Sequence, residues 1–354
     1  MKAEKTGKKC IYSLQACVWE VTLACCFSCR YCGSKGGKAR GDELTTEECL
    51  DVAGQLADLG CERVSLIGGE VFMRPDWSAI VKALTDRNVR VSIITNGYLF
   101  SDTLISQLKE LNIESVAVSL DGPDRVHESC RQKRSFRRAV TAIDTLAESA
   151  IPVSVITTLH SQNVPYLEEF YGFLKSRPIS AWQIQACSPM GNAAESGIDY
   201  HFDFGRVIRF VEENVHTAPF MMGIADNIGY FTETEGYLRG NLSGKARFAG
   251  CRAGLTSIGI DSIGNVRGCE SMYADCFIEG NVRKQPLRDI WESPDAFAYN
   301  RKFTTDLLTG KCAECRYGMI CAGGCRSYNY FTHGKMYESQ KCAAKFFGKD
   351  EEEN

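Results

Sequence analysis

Residues 16–32 read ACVWEVTLACCFSCRYC: an apolar, partly β-branched run over 16–23, then Cys25, Cys26, Cys29 and Cys32 in a C-x3-C-x2-C loop. The run is strand-like, so the cysteines sit at a strand's exit. Working outward, residues 45–59 place apolar positions at helical spacing, with Thr45 or Thr46 as the cap and Gly60 as the stop. Strand and helix signals then alternate: strand 63–67, helix 76–87, strand 89–94, helix 101–111, strand 115–119, helix 136–149, strand 153–158, helix 165–175 and strand 181–186. Six βα-type units in this order predict an α/β chain with a parallel sheet, curled or flat, and helices outside.

The polar motifs fall in one consistent place. The cysteine loop follows strand one, Gly68-Gly69-Glu70 strand two, and Thr95-Asn96-Gly97 strand three. Ser119-Leu120-Asp121-Gly122 ends strand four, His160 ends strand five, and Gln183 and Gln185 lie in strand six. In a parallel β/α array the carboxyl ends of the strands share one face, and sites are built there.

The whole chain has 354 residues, 44% hydrophobic and 24% charged, at a net charge of −3. That composition suits one large or two ordinary globular domains with a real core. The charge argues against a nucleic-acid or polybasic membrane partner, no run is long enough to span a bilayer, and the basic start lacks the apolar region of a secretory signal. A cytoplasmic chain is expected. Its 18 cysteines are then reduced thiols with something to bind rather than disulfide staples.

Those cysteines fall in two groups with only Cys187 between residues 131 and 250. The second group is Cys251, Cys269, Cys312, Cys315, Cys321, Cys325 and Cys342, with Cys276 among them. The expected organisation is a flexible start (1–13), a first module (14–200), a helical link (201–245), a cysteine-rich module (246–346) and an acidic tail (347–354). Three cysteines within eight residues, with no histidine nearby, do not complete tetrahedral zinc. They suit three corners of a 4Fe–4S cube with its fourth iron open. Cys26 is expected to point elsewhere. Cys10, Cys17, Cys49, Cys61, Cys130 and Cys187 read as small buried hydrophobes, with Cys187 the nearest to a pocket.

On these residues the chain resembles the radical S-adenosylmethionine (radical SAM) superfamily: a C-x3-C-x2-C loop after the first strand, Tyr31 before its last cysteine, and Gly68-Gly69-Glu70 as that family's GGE motif. The resemblance implies a partial (β/α)6 barrel over about 14–200. It implies that Cys25, Cys29 and Cys32 hold the SAM cluster, and that Gly68, Gly69 and Glu70 meet the methionyl amino group. Ser119 and Asp121, with Asn96 nearby, would meet the ribose, and Gln185 would flank the adenine. Arg131 would meet the SAM carboxylate, Lys133 and Arg134 being equal alternatives. Reductive cleavage of SAM to methionine and a 5′-deoxyadenosyl radical, followed by hydrogen abstraction from a substrate, is the implied chemistry.

The C-terminal cysteines resemble the SPASM extension of that superfamily, a small module with a β-hairpin and short helices. Residues 256–268 read as the hairpin, with Gly264-Asn265 at its turn. By this resemblance Cys251, Cys269 and Cys325 hold a near auxiliary cluster, and Cys312, Cys315, Cys321 and Cys342 a far one, giving three 4Fe–4S clusters in all. Ser257 stands where a further near-cluster cysteine often lies, so either that cluster keeps an open iron or another residue such as Cys276 completes it. A zinc ribbon from Cys312, Cys315, Cys321 and Cys325 is the competing reading.

SPASM-bearing enzymes mostly act on peptides. The expected function is therefore maturation of a ribosomally synthesised peptide, giving a thioether or carbon–carbon crosslink or an oxidised residue. The alternatives are sulfatase formylglycine formation, a small-molecule reaction such as one on a tetrapyrrole side chain, and a non-enzymatic iron–sulfur electron carrier or zinc scaffold. In sulfatase-maturating enzymes an aspartate after the second SPASM cysteine is the proposed base; here that position is Glu270, either a base or a surface glutamate at a hairpin end. Expected partners are a precursor peptide and a ferredoxin- or flavodoxin-type reductant. About fifteen residues precede strand one, too few for a leader-binding winged helix, so the barrel–SPASM cleft or a separate protein is expected to recognise a leader.

Overall fold

The computed structural model describes residues 11–228, 234–239, 248–339 and 341–343. Most of the expected flexible start, including Cys10, and all of the acidic tail lie outside them.

In chain order the first part is β1 (Ala16–Glu20), α1 (Thr46–Asp58), β2 (Arg63–Ile67), α2 (Trp77–Thr85), β3 (Arg90–Thr95), α3 (Asp102–Glu110) and β4 (Ser115–Ser119). There follow α4 (Asp124–Cys130), α5 (Ser135–Glu148), β5 (Val153–Leu159), α6 (Leu167–Lys175), β6 (Ala181–Ala186), α7 (Phe204–Asn214) and β7 (Met221–Ile224). Local chemistry sets several boundaries. Thr45 caps α1 in a capping box, its hydroxyl accepting from Glu48 N while the Glu48 carboxylate accepts from Thr45 N. Ser101 caps α3 by accepting from Leu104 N.

The strands β1 to β7 pair in parallel in sequence order. Their side chains alternate between two environments. Val64, Leu66, Val91, Ile93, Val116, Val118, Val155, Trp182 and Ile184 face the helices and are fully buried. Each such side chain contributes roughly 1.5–3 kcal/mol by leaving water. The other set, including Ser65, Ser92, Ala117, Ser154, Ile156, Gln183 and Gly223, lines a half-open cavity of about 690 Å³. A sheet with helices on one face and a lined hollow on the other is a partial barrel.

Three features differ from the expectations. The first strand stops at Glu20 rather than residue 23, because the chain beyond leaves the sheet to exchange backbone hydrogen bonds with Gly37 (Gly37 N to Leu23 O, 2.9 Å; Cys25 N to Gly37 O, 2.8 Å). A helix, α4, occupies 124–130 ahead of the basic run. Residues 201–245, expected as a helical link, contain β7, which adds a seventh parallel strand beside β6.

The C-terminal region is stitched into the same sheet. Strand β8 (Ser257–Ile260) lies parallel to β1, in register Ala16–Ser257 through Trp19–Ile260. It folds back antiparallel onto β9 (Asn265–Arg267), which pairs with β10 (Gly280–Asn281). The hairpin turns over 261–264, with Gly264 at φ +86° and Asp261 N donating to Asn265 O (3.0 Å). Beyond it short helices follow among the described residues, including Leu287–Trp291, Ala298–Arg301, Gly318–Cys321 and Arg326–His333. Arginines brace this part. Arg283 donates to the Glu48 carboxylate (2.7 Å) and to Asp42 O and Glu43 O, and fully buried Arg326 donates to the carbonyls of Ala322, Gly324 and Met336.

Candidate active site

The loop after β1 brings Cys25, Cys29 and Cys32 together. A Cβ placed on Gly36 would lie 3.3 Å from Cys25 Cβ and 3.7 Å from Cys32 Sγ, and Gly36 N donates to Cys32 Sγ (3.2 Å). Cys29 is buried, and burial pushes its thiol up to about 11 while the charge of Cys32 adds to the rise. That thiol is thus not ionised in advance; a bound metal would have to displace its proton. Cys26 is exposed, its sulfur accepting from Asn96 Nδ2 (3.4 Å) beside Cys25.

Gly68 and Gly69 have a packing role visible only in three dimensions. A Cβ on Gly68 would run into Thr22 O, and one on Gly69 into Leu23 O and Ala24 O. Gly69 N donates to Thr22 O and Glu70 N to Ala24 O, both at 2.7 Å. The exit of β2 is therefore zipped to the start of the cysteine loop. Glu70 is buried and turned inward: Oε1 accepts from Thr95 Oγ1 (2.8 Å) and Oε2 from Asn96 N (2.8 Å). Burial lifts its carboxyl to about 7 against the pull of those hydrogen bonds.

Asp121 and Arg131, both expected to meet SAM, meet each other. Asp121 Oδ2 accepts from Arg131 Nε and from the Tyr31 hydroxyl, and Oδ1 from Thr158 N (2.9 Å). Asp121 is fully buried, and although burial opposes it, the Arg131 guanidinium and its hydrogen bonds hold the carboxyl below its ordinary value. This carboxylate orients Tyr31 and Arg131. Arg131, bound through Nε, keeps its terminal nitrogens for an anion and lies close enough to Cys29 to feel its charge. Lys133 and Arg134 are exposed, which separates them from Arg131. Ser119 ends β4 nearby, and Gln185 Nε2 donates to Thr158 Oγ1 (3.0 Å). His127 Nδ1 accepts from Asp121 N (3.3 Å), so its proton is on Nε2, and burial lowers its pKa to about 4.

Sequence reasoning missed a clamp from the segment after β6. Asn192 Nδ2 donates to Cys29 O (2.9 Å) and Asn192 N to Cys32 O (2.9 Å). Gly191, at φ +56°, lies where any Cβ would strike the carbonyls of Cys32 and Gly33. A Gly-Asn pair in a loop looks like ordinary turn chemistry; only the cysteine carbonyls opposite it reveal the role.

The C-terminal cysteines sort into two sets. Cys251, Cys269 and Cys325 lie within one another's electrostatic reach, with burial pushing Cys269 up to about 12. Cys321 feels Cys342, Cys312 and Cys315. Cys325 thus joins the first set rather than the foursome a zinc ribbon requires. Among the described residues no three or more His, Cys, Asp or Glu side chains converge as a single ion demands. All-thiol sets of three, three and four are donor sets suited to iron–sulfur clusters. Cys276 stands apart, exposed, its sulfur 3.7 Å from the Tyr330 hydroxyl.

Glu270 is no surface residue. It is 6% exposed, packed over Gly259 of β8, and neither carboxylate oxygen finds a hydrogen-bond donor among the described residues. Burial, reinforced by the charge of Glu20, pushes its carboxyl well above the ordinary range. Glu20, at the end of β1, is engaged by Arg40 (2.6 Å), Ser262 N and the Tyr273 hydroxyl.

Comparison with known proteins adds an outside view. Residues 19–174 match the model of the radical SAM superfamily, and residues 251–316 that of the SPASM iron–sulfur cluster-binding domain. The AdoMet-dependent heme synthase of Methanosarcina barkeri is 28% identical over 91% of this chain and 94% of its own length. The mycofactocin maturase MftC of Mycolicibacterium smegmatis is 29% identical over 89% of this chain and 78% of its own. Among solved structures, Streptococcus suis SuiB bound to its precursor peptide SuiA superposes with a TM-score of 0.74 at 18% identity, covering 93% of this chain and 75% of that one. The likeness to SuiB is one of fold. No helix among the described residues is long and apolar enough to cross a membrane.

Proposed function

Because this chain is a radical SAM enzyme with a C-terminal SPASM domain, we propose that it matures a ribosomally synthesised peptide by abstracting hydrogen from one of its residues, leaving a crosslink or an oxidised residue. The observation that carries the reading is the convergence, on one rim of the barrel, of Cys25, Cys29 and Cys32, the Glu70–Asn96 contact and the Asp121–Tyr31–Arg131 group.

Cys25, Cys29 and Cys32 would hold the SAM cluster; Cys251, Cys269 and Cys325 the near auxiliary cluster; and Cys312, Cys315, Cys321 and Cys342 the far one. Loaded with its cluster and SAM, the first site would supply the one-electron reductive cleavage of SAM to methionine and a 5′-deoxyadenosyl radical, the electron coming from an external ferredoxin- or flavodoxin-type reductant. The chain's own residues hold the geometry. Asn192 and the Gly68-Gly69 backbone fix the cysteine loop. Asp121 sets Arg131 toward the SAM carboxylate and Tyr31 across the pocket, while Gly68, Gly69, Glu70, Asn96, Ser119 and Gln185 complete the SAM contacts. Glu270, buried and without a hydrogen-bond partner among the described residues, would be the base toward the substrate once its carboxyl is ionised.

A second reading, chemistry on a tetrapyrrole side chain, is favoured by one observation: the heme synthase relative matches over nearly its whole length. Anaerobic incubation with SAM and a strong reductant tests the shared premise. 5′-Deoxyadenosine should form in wild type and be absent in Cys29→Ser, with about twelve irons per chain for three cubes. Consumption of a tetrapyrrole with no peptide turnover would decide for the second reading.

A further inference from the structure

One sector of the barrel cavity is used by none of the groups above. In the middle of β6, where a closed barrel would bury an apolar side chain, stands Gln183, open to the cavity and without a hydrogen-bond partner among the described residues. Beside it the chain leaves β7 in a tightly held loop. Ala225 N donates to Ile184 O (2.8 Å), and the Asn227 amide exchanges hydrogen bonds with both backbone groups of Ala186 (3.1 and 3.0 Å). Arg239 donates to the carbonyls of Ile224, Ala225 and Ile228 and is neutralised by Glu235 (2.8 Å).

That bracing presents Asp226 to the cavity with half its side chain still open, Arg239 standing 3.4 Å away. Arg252, directly after Cys251, lines the same cavity, and its charge reaches Asp226. Yet no carboxylate comes within 4.0 Å of it among the described residues. A carboxylate and a guanidinium thus face one space without closing into a pair. Their charges cancel, so the sector favours a neutral group that both donates and accepts hydrogen bonds over a net anion or cation. The Gln183 carboxamide has the same double character.

We propose that Gln183, Asp226 and Arg252 form a substrate subsite that takes amide groups of a peptide chain, with Arg252 donating to carbonyl oxygens, Asp226 accepting from amide N–H, and Gln183 doing either. This rests on the peptide reading above. The cavity, about 690 Å³, is of the size that encloses a few residues.

Equilibrium dialysis of the iron-loaded protein against N-acetylated, C-amidated tetrapeptides tests it, with glutarate as the charged competitor. Gln183→Leu and Arg252→Met should each weaken tetrapeptide binding at least tenfold, and glutarate should not displace the peptides. Gln183→Leu is the decisive variant, because it lies on β6 away from every cysteine set. Its iron content and melting temperature should match wild type, so that a loss of binding is not a loss of fold. Equal binding by wild type and Gln183→Leu overturns the proposal, as does glutarate displacing the peptides, or wild type binding no tetrapeptide. The peptide reading is judged apart, from products formed by wild type with SAM. Peptide products together with unaltered Gln183→Leu binding would remove the subsite and leave the reading standing.

Discussion

The barrel and the C-terminal region hold their cysteines by different means. Cys25, Cys29 and Cys32 hang from a sheet that is complete without them: seven parallel strands, two registered caps and a continuous layer of fully buried aliphatic side chains. Cys312, Cys315, Cys321, Cys325 and Cys342 sit on turns and short helices, where Phe248, Cys321 and Cys342 form the apolar cluster with Tyr317 packed against it. Buried arginines do there what strands do in the barrel, Arg326 gathering the carbonyls of Tyr299, of Ala322 and Gly324, and of Met336 from three segments. The lesson is that a bound cluster decorates the first region and builds the second.

The largest effect should come from removing metal. Chelation of the loaded protein, or Cys321→Ser, is expected to leave the segment beyond residue 300 open to proteolysis and fast amide exchange. Cys29→Ser should leave exchange in the barrel strands unchanged while abolishing SAM cleavage. Equal protection of both regions without metal would break the comparison.

Next comes Gly69→Ala, whose Cβ meets two backbone carbonyls that cannot retreat. A cost of about 3 kcal/mol or more is expected, read as a lower denaturant midpoint.

Acid should then single out the barrel through His127, which is buried between Asp121, Arg131 and Phe136. Its pKa of about 4 lies below the ordinary 6.5, so the neutral form's stabilisation is complete above pH 6.5 and is lost as pH falls towards 4. That is worth roughly 3 kcal/mol across the window. Glu70, raised to about 7, tilts stability the opposite way over pH 4.5–7. The measurable quantity is therefore the difference between wild type and His127→Gln, which should narrow on acidification. The smallest effect is Thr45→Ala, expected to cost about 1 kcal/mol and to shift barrel melting alone.

Much of this was legible in the chain. Cysteine spacing, the Thr45 cap and motif placement at strand exits are local signals, and all six anticipated strands lie in the sheet. What escaped was set by partners distant in sequence. Strand β7 has four residues, too short for alternation to show, and lies where β6 offers an open edge; β8 reads from the sequence as one arm of the hairpin, but its parallel pairing with β1 does not. The mutual engagement of Asp121 and Arg131 depends on how α4 turns back over β4. Glu270 read equally as surface or site until Gly259, by lacking a side chain, made room for it inside. Gln183 was placed on its strand correctly, but nothing in its neighbours announces a hollow opposite.

The parallel pairing of β1 with β8 acts as a ruler. Backbone hydrogen bonds fix where the cysteine loop begins relative to the hairpin that leads to Cys269 and Glu270, and a slip of one residue, about 3.3 Å, would turn Glu270's seat to the opposite face. Strand β7 and the turn over 225–228 pair with neither end of the ruler, so the side chains on that wall of the cavity can change for a new guest while the spacing between the cysteine loop and the hairpin is kept.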